Sequence, residues 1–522
     1  MSKHIGFGFS ARRALINGAV AAASVFSFPA WAAACDDIAG AVRDLGAYAA
    51  VDVETTLAFY DSRGGGCAWD KDSGAALISV VQAAGDHGLD PRLFHADMLT
   101  GKTDVDATGR DVLMTDGALK FASAMLRGLS AAPVAKVDRA AGSPKNGEII
   151  DALSQALEAG DVGAWLDSLA PRTDSYLQIR AALATYRSMA EAGGWEPMPK
   201  ELLSKKKRAA FIPALRQRLA IEGDLMTDDG SDQFDEDLRA ALERFQSRNG
   251  MKADGLLNAK TIDRLNVSAS ERVVQLAVNL ERLRIERRNP SVTRIEVNAP
   301  AATMVLYRDG IPHMAMNVVV GKPGHDTPTL ASTIDTIVLN PNWTIPQSII
   351  RNEIKPALKR NKDYLIKHRM YWAGDQLIQE PGPHNALGRV KFDFPNRYSV
   401  YLHDTPSRRA FMDAERAQSH GCVRLERPVD LAEELLRGDP KWTREAIEQT
   451  IRDGATRRVP LSEPMPVIIV YETAFVGDDG LVQFRPDIYG LDTQLTLALS
   501  QRATVMQSQA APTAKDTSAG EF

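Results

Sequence analysis

The sequence predicts a multidomain α+β protein, with an α-helical N-terminal region, a small three-helix domain and a mostly antiparallel β-sandwich or barrel that carries a helical insertion. Three observations predict it. The chain has 522 residues, more than one ordinary core accommodates. Its apolar residues recur at three and four spacing up to about residue 287 and as short β-branched runs beyond it. Hydrophobic residues at 44 % and charged ones at 25 % match soluble globular chains rather than disordered or fibrous ones. The formal net charge of −5 supplies no general attraction to nucleic acid.

Taken in order, residues 1–32 have the parts of a signal peptide. Lys3, Arg12 and Arg13 precede an apolar run from Ala14 to Phe28, and Ala30-Trp31-Ala32 supplies a small-x-small cleavage site. The run is shorter than the about 20 apolar residues of a membrane anchor. The expectation is an exported chain, cleaved near Ala33 and not stably inserted in a membrane. Arg12-Arg13 leaves twin-arginine export open, and Ala33-Ala34-Cys35 leaves lipidation open.

Export places the three cysteines in an oxidising compartment, where Cys35 and Cys67 can pair and leave Cys422 as the odd thiol.

Residues 33–205 form the helical region, with helical spacing in Ala75–Val81 and Ala118–Leu126 and breaks at Gly88-Leu89-Asp90-Pro91 and Gly128. No chemistry is evident there. In residues 206–268, Leu215, Leu219, Leu238, Ala241, Leu242, Phe245, Ile262 and Leu265 are spaced to line one small three-helix core, and Asn249–Gly255 supplies turn residues. Residues 269–490 open with a helix from Glu271 to Arg287 and continue as strands: Thr293–Val297, Ala302–Tyr307, His313–Val320, Thr333–Asn340, Tyr398–His403 and Val467–Tyr471. Within them, residues 343–395 are a long basic insertion, helical from Ile345 to Arg369 and looped at Pro381–Asn385, of the kind that forms a lid beside a site. Pro428–Leu436 reads as an amphipathic helix. Residues 491–522 are polar and small, and are expected to be a flexible tail.

Chemistry concentrates in Ser419-His420-Gly421-Cys422-Val423-Arg424-Leu425, preceded by Tyr401-Leu402-His403-Asp404-Thr405-Pro406. A thiol with pKa about 8.5 is only slightly ionised at neutral pH, so a nucleophilic cysteine needs a neighbouring base or cation. His403 is the candidate base, and Asp404 or its carbonyl the candidate orienter. Gly421 removes a Cβ beside the nucleophile and permits unusual φ, which makes the amides of Gly421 and Cys422 candidate oxyanion donors. Ser419 and His420 complete the candidate catalytic set. Arg424 can bind a substrate carboxylate through two hydrogen bonds, while Tyr401, Trp343 and Thr327 are candidates to line the cleft. His313, His325, His368 and His384 lack metal-ligand spacing, so no metal is expected, and acyl transfer through a thiol requires no organic cofactor.

The pairing of a strand-end histidine with Ser-His-Gly-Cys, fifteen residues (404 through 418) lying between His403 and Ser419, resembles the signature of L,D-transpeptidases with a YkuD-type catalytic domain. Val319–Lys322, Asp326–Thr329, Leu339–Pro346 and Gly388–Phe392 are similar to stretches of the large periplasmic members. Ala241–Gly250 and Asp254-Gly255 through Thr261-Ile262 resemble the peptidoglycan-binding module appended to wall enzymes. Arg424 stands where the most quoted form of the motif has asparagine. The resemblance implies a periplasmic enzyme of peptidoglycan crosslinking, acting on stem peptides and glycan and sensitive to carbapenems. Cys422 would take the acyl group of a tetrapeptide stem with release of D-Ala and pass it to an amine of a neighbouring stem, giving a 3→3 crosslink. Water as acceptor would make an L,D-carboxypeptidase, and a lipoprotein lysine would make an anchoring enzyme. The non-enzymatic alternative is a wall-binding scaffold, which the presence of both His403 and Cys422 disfavours.

Overall fold

Aspartates start the helices of the N-terminal region. Asp52 accepts from Thr55 N, Asp106 accepts from Gly109 N, and Asp70 forms a reciprocal capping box with Ser73, so the exposed first-turn amides of three helices are satisfied by side chains. The computed structural model describes residues 35–101, 105–129, 144–204, 206–286 and 290–510, with backbone alone over 501–510. The leader expected over residues 1–32 lies outside the described residues. Helix Ala107–Arg127 runs through the centre of the region and is buried on almost every side. Its polar side chains are consumed internally: Tyr60 Oη donates to Asp111 Oδ1 at 2.6 Å and Trp69 Nε1 to Thr115 Oγ1 at 2.9 Å. Cys35 and Cys67 are joined as a disulfide.

Helices Ile212–Ile221, Glu236–Arg248 and Ala259–Leu265 close around the eight apolar side chains named above for the small core, all of them buried. The Gln246 amide oxygen accepts from the amides of Asp254 and Gly255 and so fixes the turn between the last two helices. This domain is not loosely tethered. Arg248 binds Asp224 and Glu222, Arg218 binds Glu222 at 2.6 Å, Tyr186 of the helical region donates to Glu222 at 2.6 Å, and Arg248 reaches Val482 O at 3.3 Å. Burial works to raise the Glu222 carboxyl, and Arg248, Arg218 and Arg272 overcome it, holding it at about 2.

The β domain contains β1 (Arg294–Asn298), β2 (Thr303–Arg308), β3 (Ile311–Gly321), β4 (Leu330–Leu339), β5 (Trp343–Thr344), β6 (Met370–Ala373), β7 (Gln376–Gln379), β8 (Val390–Asp393), β9 (Leu402–His403), β10 (Ala417–Ser419), β11 (Val423–Leu425) and β12 (Arg457–Val470). One sheet runs in the order β10-β3-β11-β9-β8-β4-β12-β1-β2, and β2 pairs back onto β3, which closes it as a barrel. Closure leaves few free edges. Three pairings are parallel (β1 with β12, β3 with β10, β9 with β11) and the rest antiparallel. Inside lie Ile295, Val318, Ile337, Phe392, Leu402 and Val423.

Two boundaries differ from the sequence reading. Helix Ala269–Glu286, expected with the β domain, buries Leu276, Leu280 and Leu283 in the core of the helical region, together with Ala474 and Phe484 of the hairpin β13 (Ala474–Val476) and β14 (Val482–Phe484). Past Gly490, where composition predicted a flexible tail, Leu491–Ala510 is a helix whose Asp492 meets Arg282 at 2.5 Å and whose Leu495 is buried. Among the described side chains the anchoring residues sit in its first turns, which overall composition does not reveal, and residues 511–522 of the expected tail lie outside the described residues.

Residues from Trp343 to Gln379 form the insertion: helical segments Gln347–Ile349, Lys355–Arg360 and Tyr364–Lys367, a π-helical turn Ile350–Ile354, and the sheet β5-β7-β6. It has its own small core of Ile345, Ile349, Ile350, Ile354 and Leu377. The strands within it were not anticipated.

Candidate active site

Strand alternation decides which side chains meet. β9 and β11 lie side by side and parallel, Leu402 opposite Val423 and His403 opposite Arg424. Leu402, Val423 and Leu425 point into the barrel core, so the alternate residues Tyr401, His403, Cys422 and Arg424 share the other face. Lys391 of β8 pairs with His403 and joins that face. Cys422 thus stands opposite Tyr401 and diagonal to His403, a relation that separates Cα atoms by about 7–8 Å.

Hydroxyls hold the bend that presents the thiol. Ser419 Oγ accepts from Gly421 N at 3.1 Å and donates to Cys422 O at 2.6 Å. Thr327 Oγ1 donates to Gly421 O and accepts from Gly321 N, both at 2.8 Å, and Tyr489 Oη donates to Gly321 O at 2.7 Å. Gly421 has φ of +114°, a conformation that glycine adopts without strain. The Gly421 amide, expected as an oxyanion donor, is engaged by Ser419, which leaves the Cys422 amide as the candidate. Ser419 and Gly421 therefore shape the bend.

His403 is buried, and its Nδ1 sits 2.5 Å from the carbonyl oxygen of Asp404. That carbonyl, rather than the carboxylate, is the candidate orienter; the Asp404 carboxylate is occupied by the amides of Arg389 and Thr405, both at 2.7 Å, and by Arg408. A neutral ring whose Nδ1 proton points at Asp404 O carries its lone pair on Nε2. Burial, then the positive fields of Arg424 and Lys391, hold the imidazole down to about 3, against the opposing pull of the carbonyls of Asp404 and Leu387. Burial pushes the Cys422 thiol up, partly countered by hydrogen bonding to Tyr401 and by Lys391 and Arg424. The thiol also faces Ser399 O at 3.9 Å. At neutral pH the resting pair is thus an uncharged thiol and an uncharged imidazole.

Tyr401 lies edge-on to His403 with ring centroids 5.5 Å apart, Lys391 Nζ stands 4.2 Å from the Tyr401 ring centroid, and Trp343 of the insertion hydrogen-bonds Tyr401. Thr327, Trp343, Tyr401 and Arg424 are therefore brought to the site. His420 is turned elsewhere: its Nε2 is 2.6 Å from Glu353 Oε1 of the insertion, and its ring packs edge-on to His325 at 5.0 Å. The sequence reading missed Lys391, Glu353 and the Ser399 carbonyl. Lys391 was reachable only through the β8–β9 register, which no local pattern reveals. Among the described residues the one close grouping of His, Cys, Asp or Glu atoms is Cys35, Cys67 and Asp111, and its sulfurs are bonded to each other.

Residues 292–443 match the family described as L,D-transpeptidase catalytic domain (YkuD), residues 54–183 one described as Scaffold domain, and residues 208–265 one described as "Putative peptidoglycan binding domain". A curated Haemophilus influenzae protein named "Putative L,D-transpeptidase" is 31 % identical over 245 residues, 43 % of this chain and 49 % of that protein. The chain thus spans about half the length of the curated relative it matches. Among solved structures, an L,D-transpeptidase from Stackebrandtia nassauensis aligns at 14 % identity over 50 % of this chain and 90 % of its own, with a TM-score of 0.21. L,D-transpeptidase 3 from Mycobacterium tuberculosis aligns at 15 % identity over 34 % and 61 %, with a TM-score of 0.20. Likenesses this distant do not bear on the site.

Proposed function

From a chain that carries a YkuD-type L,D-transpeptidase catalytic domain and a peptidoglycan-binding domain, we propose an L,D-transpeptidase of the bacterial wall that works through Cys422. The observation that carries this reading is the convergence of Cys422, His403, Tyr401 and Arg424 on one face of the barrel, inside the segment that matches the catalytic domain.

The donor is a tetrapeptide stem. Cys422 Sγ attacks the carbonyl that precedes its terminal D-Ala while His403 Nε2 takes the thiol proton. The Cys422 amide donates to the developing oxyanion, an interaction worth about 3 kcal/mol. Collapse breaks the C–N bond, the imidazolium returns the proton to the leaving amine, and D-Ala departs from a thioester. The side-chain amine of a neighbouring stem then attacks that thioester, loses its proton to His403, and restores the thiol with a 3→3 crosslink formed.

Arg424 gives this sequence a trigger. Its charge depresses the basicity of His403, so a stem carboxylate bound to the guanidinium offsets that field and makes the imidazole a stronger base when substrate is present. Residues 1–32, read as a leader, support a periplasmic setting for the reaction, and carbapenems would acylate the same sulfur.

The test is incubation of the purified protein with disaccharide-tetrapeptide, products being resolved by mass. A crosslinked dimer is expected, with none from Cys422→Ala. Conversion to tripeptide alone would replace the reading with a carboxypeptidase. Absence of any product, together with no carbapenem adduct on the wild-type protein, would leave a wall-binding scaffold.

A further inference from the structure

The nineteen residues from Arg351 to Arg369 contain seven cations (Arg351, Lys355, Lys359, Arg360, Lys362, Lys367 and Arg369) and two acids, Glu353 and Asp363. That is seven minus two, a local charge of +5 in a chain whose net charge is −5. All seven cations are exposed. Arg369 pairs with Glu380 at 3.0 Å, and among the described residues the other six have no acidic partner. Of the two acids, Glu353 is held by His420. Elsewhere cations are commonly paired: Arg444 alone meets Asp430, Glu433 and Glu448. Six uncompensated cations on one short segment repel each other and gain from an anionic partner.

The same segment exposes apolar and aromatic surface. Ile366 is 78 % exposed, Trp372 49 % and Tyr371 45 %. Aromatic faces beside cations suit a ligand that presents both carboxylates and sugar rings. The insertion also reaches the candidate active site, where its Trp343 hydrogen-bonds Tyr401. Ser348, Asn352 and Glu353 of the insertion line a cavity of about 260 Å³ whose other wall is Lys322, His325 and His420.

We propose that the exposed face of the insertion, centred on Lys355, Lys359, Arg360 and Lys362, is a docking surface for peptidoglycan polymer through the free carboxylates of several successive stems. This rests on the reading of the site as a wall transpeptidase, and it adds a selection that the catalytic face alone does not make: a carboxylate-bearing polymer is preferred over an isolated stem and over wall whose stems are amidated. A ligand with several anions gains from each contact, whereas a single stem gains from one or two. The polymer is favoured over an anionic lipid surface because the same insertion reaches the candidate active site through Trp343 and sets aromatic surface that suits sugar rings beside its cations.

The experiment uses the full chain carrying Cys422→Ala, so that binding is read without turnover and a failure of the catalytic reading is seen separately. Co-sedimentation with insoluble peptidoglycan is measured at about 0.05 and 0.3 M salt for this protein, for Lys355→Glu/Lys359→Glu/Lys362→Glu and for the matching Gln triple, with thermal unfolding as the folding control. The expected result is binding to free-carboxylate wall that weakens about tenfold or more in the Glu triple, by an intermediate factor in the Gln triple, and with a shallower salt dependence in both. Binding to chemically amidated wall should be weak and insensitive to the substitutions. Equal binding by all three proteins, or equal binding to free and amidated wall, overturns the proposal. So does flotation with phosphatidylglycerol vesicles that depends on the same lysines while wall binding does not.

Discussion

Cys422 and His403 occupy their places for opposite electrostatic reasons, and that sets how the site responds to pH. Burial raises the thiol and lowers the imidazole, so the pair rests uncharged, unlike a preformed thiolate–imidazolium couple. Alkylation of Cys422 by iodoacetamide should therefore climb by about tenfold per pH unit from pH 6 to 9, with no inflection near the ordinary histidine value of about 6.5; a rate already at plateau near pH 6 would mean an ion pair instead. Arg424 lowers both groups, so Arg424→Gln should raise both. Its alkylation profile moves to higher pH, and the His403 resonance in histidine-labelled protein begins to titrate above 3, toward 6.5. Cys422, His403 and Arg424 could be singled out from the motif, because a thiol and an imidazole are chemically distinctive residue types, and the structure sets all three on one face. Lys391 could not be, since a lone lysine acquires its role from the strand beside it, and the inward-turned Gly421 amide could not, since nothing in Ser-His-Gly-Cys says which way that N–H points.

The loop–strand junctions carry the precision that those residues need. Thr327, in the connection from β3 to β4, bridges Gly321 N and Gly421 O, and it was legible only as a cleft-lining candidate. Thr327→Val keeps the shape and strands a buried donor and acceptor, which costs about 1–3 kcal/mol. Because one stranded group is the carbonyl of the residue before the nucleophile, carbapenem acylation of this variant should slow by about tenfold or more, while Thr327→Ser retains both bonds and most of the rate. Equal acylation by Thr327→Val and wild type would reduce Thr327 to ordinary packing. Gly388 shows the same dependence from the other side of the site: at φ of +63°, a Cβ there would lie 2.4 Å from the Asp404 side chain, whose backbone carbonyl orients His403. At this scale the barrel strands and the three-helix core were readable from period-2 and period-3.6 patterns. The short strands β10 and β11 and the sheet inside the insertion were not, because two to four residues hold no periodicity to read, while β9 was read only as the end of a longer run, Tyr398–His403.

The domains form one connected body, and its acid sensitivity follows from histidines spread across them. His87 in the helical region is held down to about 3 by burial and by Arg180 and Arg284, His403 in the barrel likewise to about 3, and His95 is lowered mainly by burial despite its bond to Asp116. A histidine whose folded pKa lies below its unfolded one binds its proton more readily in the unfolded chain, so its stabilising contribution is full above about 6.5 and is lost as pH falls from there toward 3. Each of His87 and His403 should remove about 1.4 kcal/mol per pH unit across that window. The carboxyls of Asp116 and Glu222, each held at about 2 with neighbouring cations overcoming the effect of burial, add a second loss only below their unfolded values near 4. Urea midpoints should therefore fall steadily from pH 7 to pH 5, before the contributions of Asp116 and Glu222 are lost, with His403→Asn reducing the slope by about one proton. The Glu222–Arg248 cluster, which joins the three-helix domain to Tyr186 and Val482, should transmit that loss between domains. Arg248→Met, leaving Glu222 and Asp224 buried without their shared cation, should cost about 3–5 kcal/mol and split a single unfolding transition into two. A midpoint unchanged between pH 7 and pH 5 would show that the unfolded chain holds these histidines as poorly protonated as the fold does.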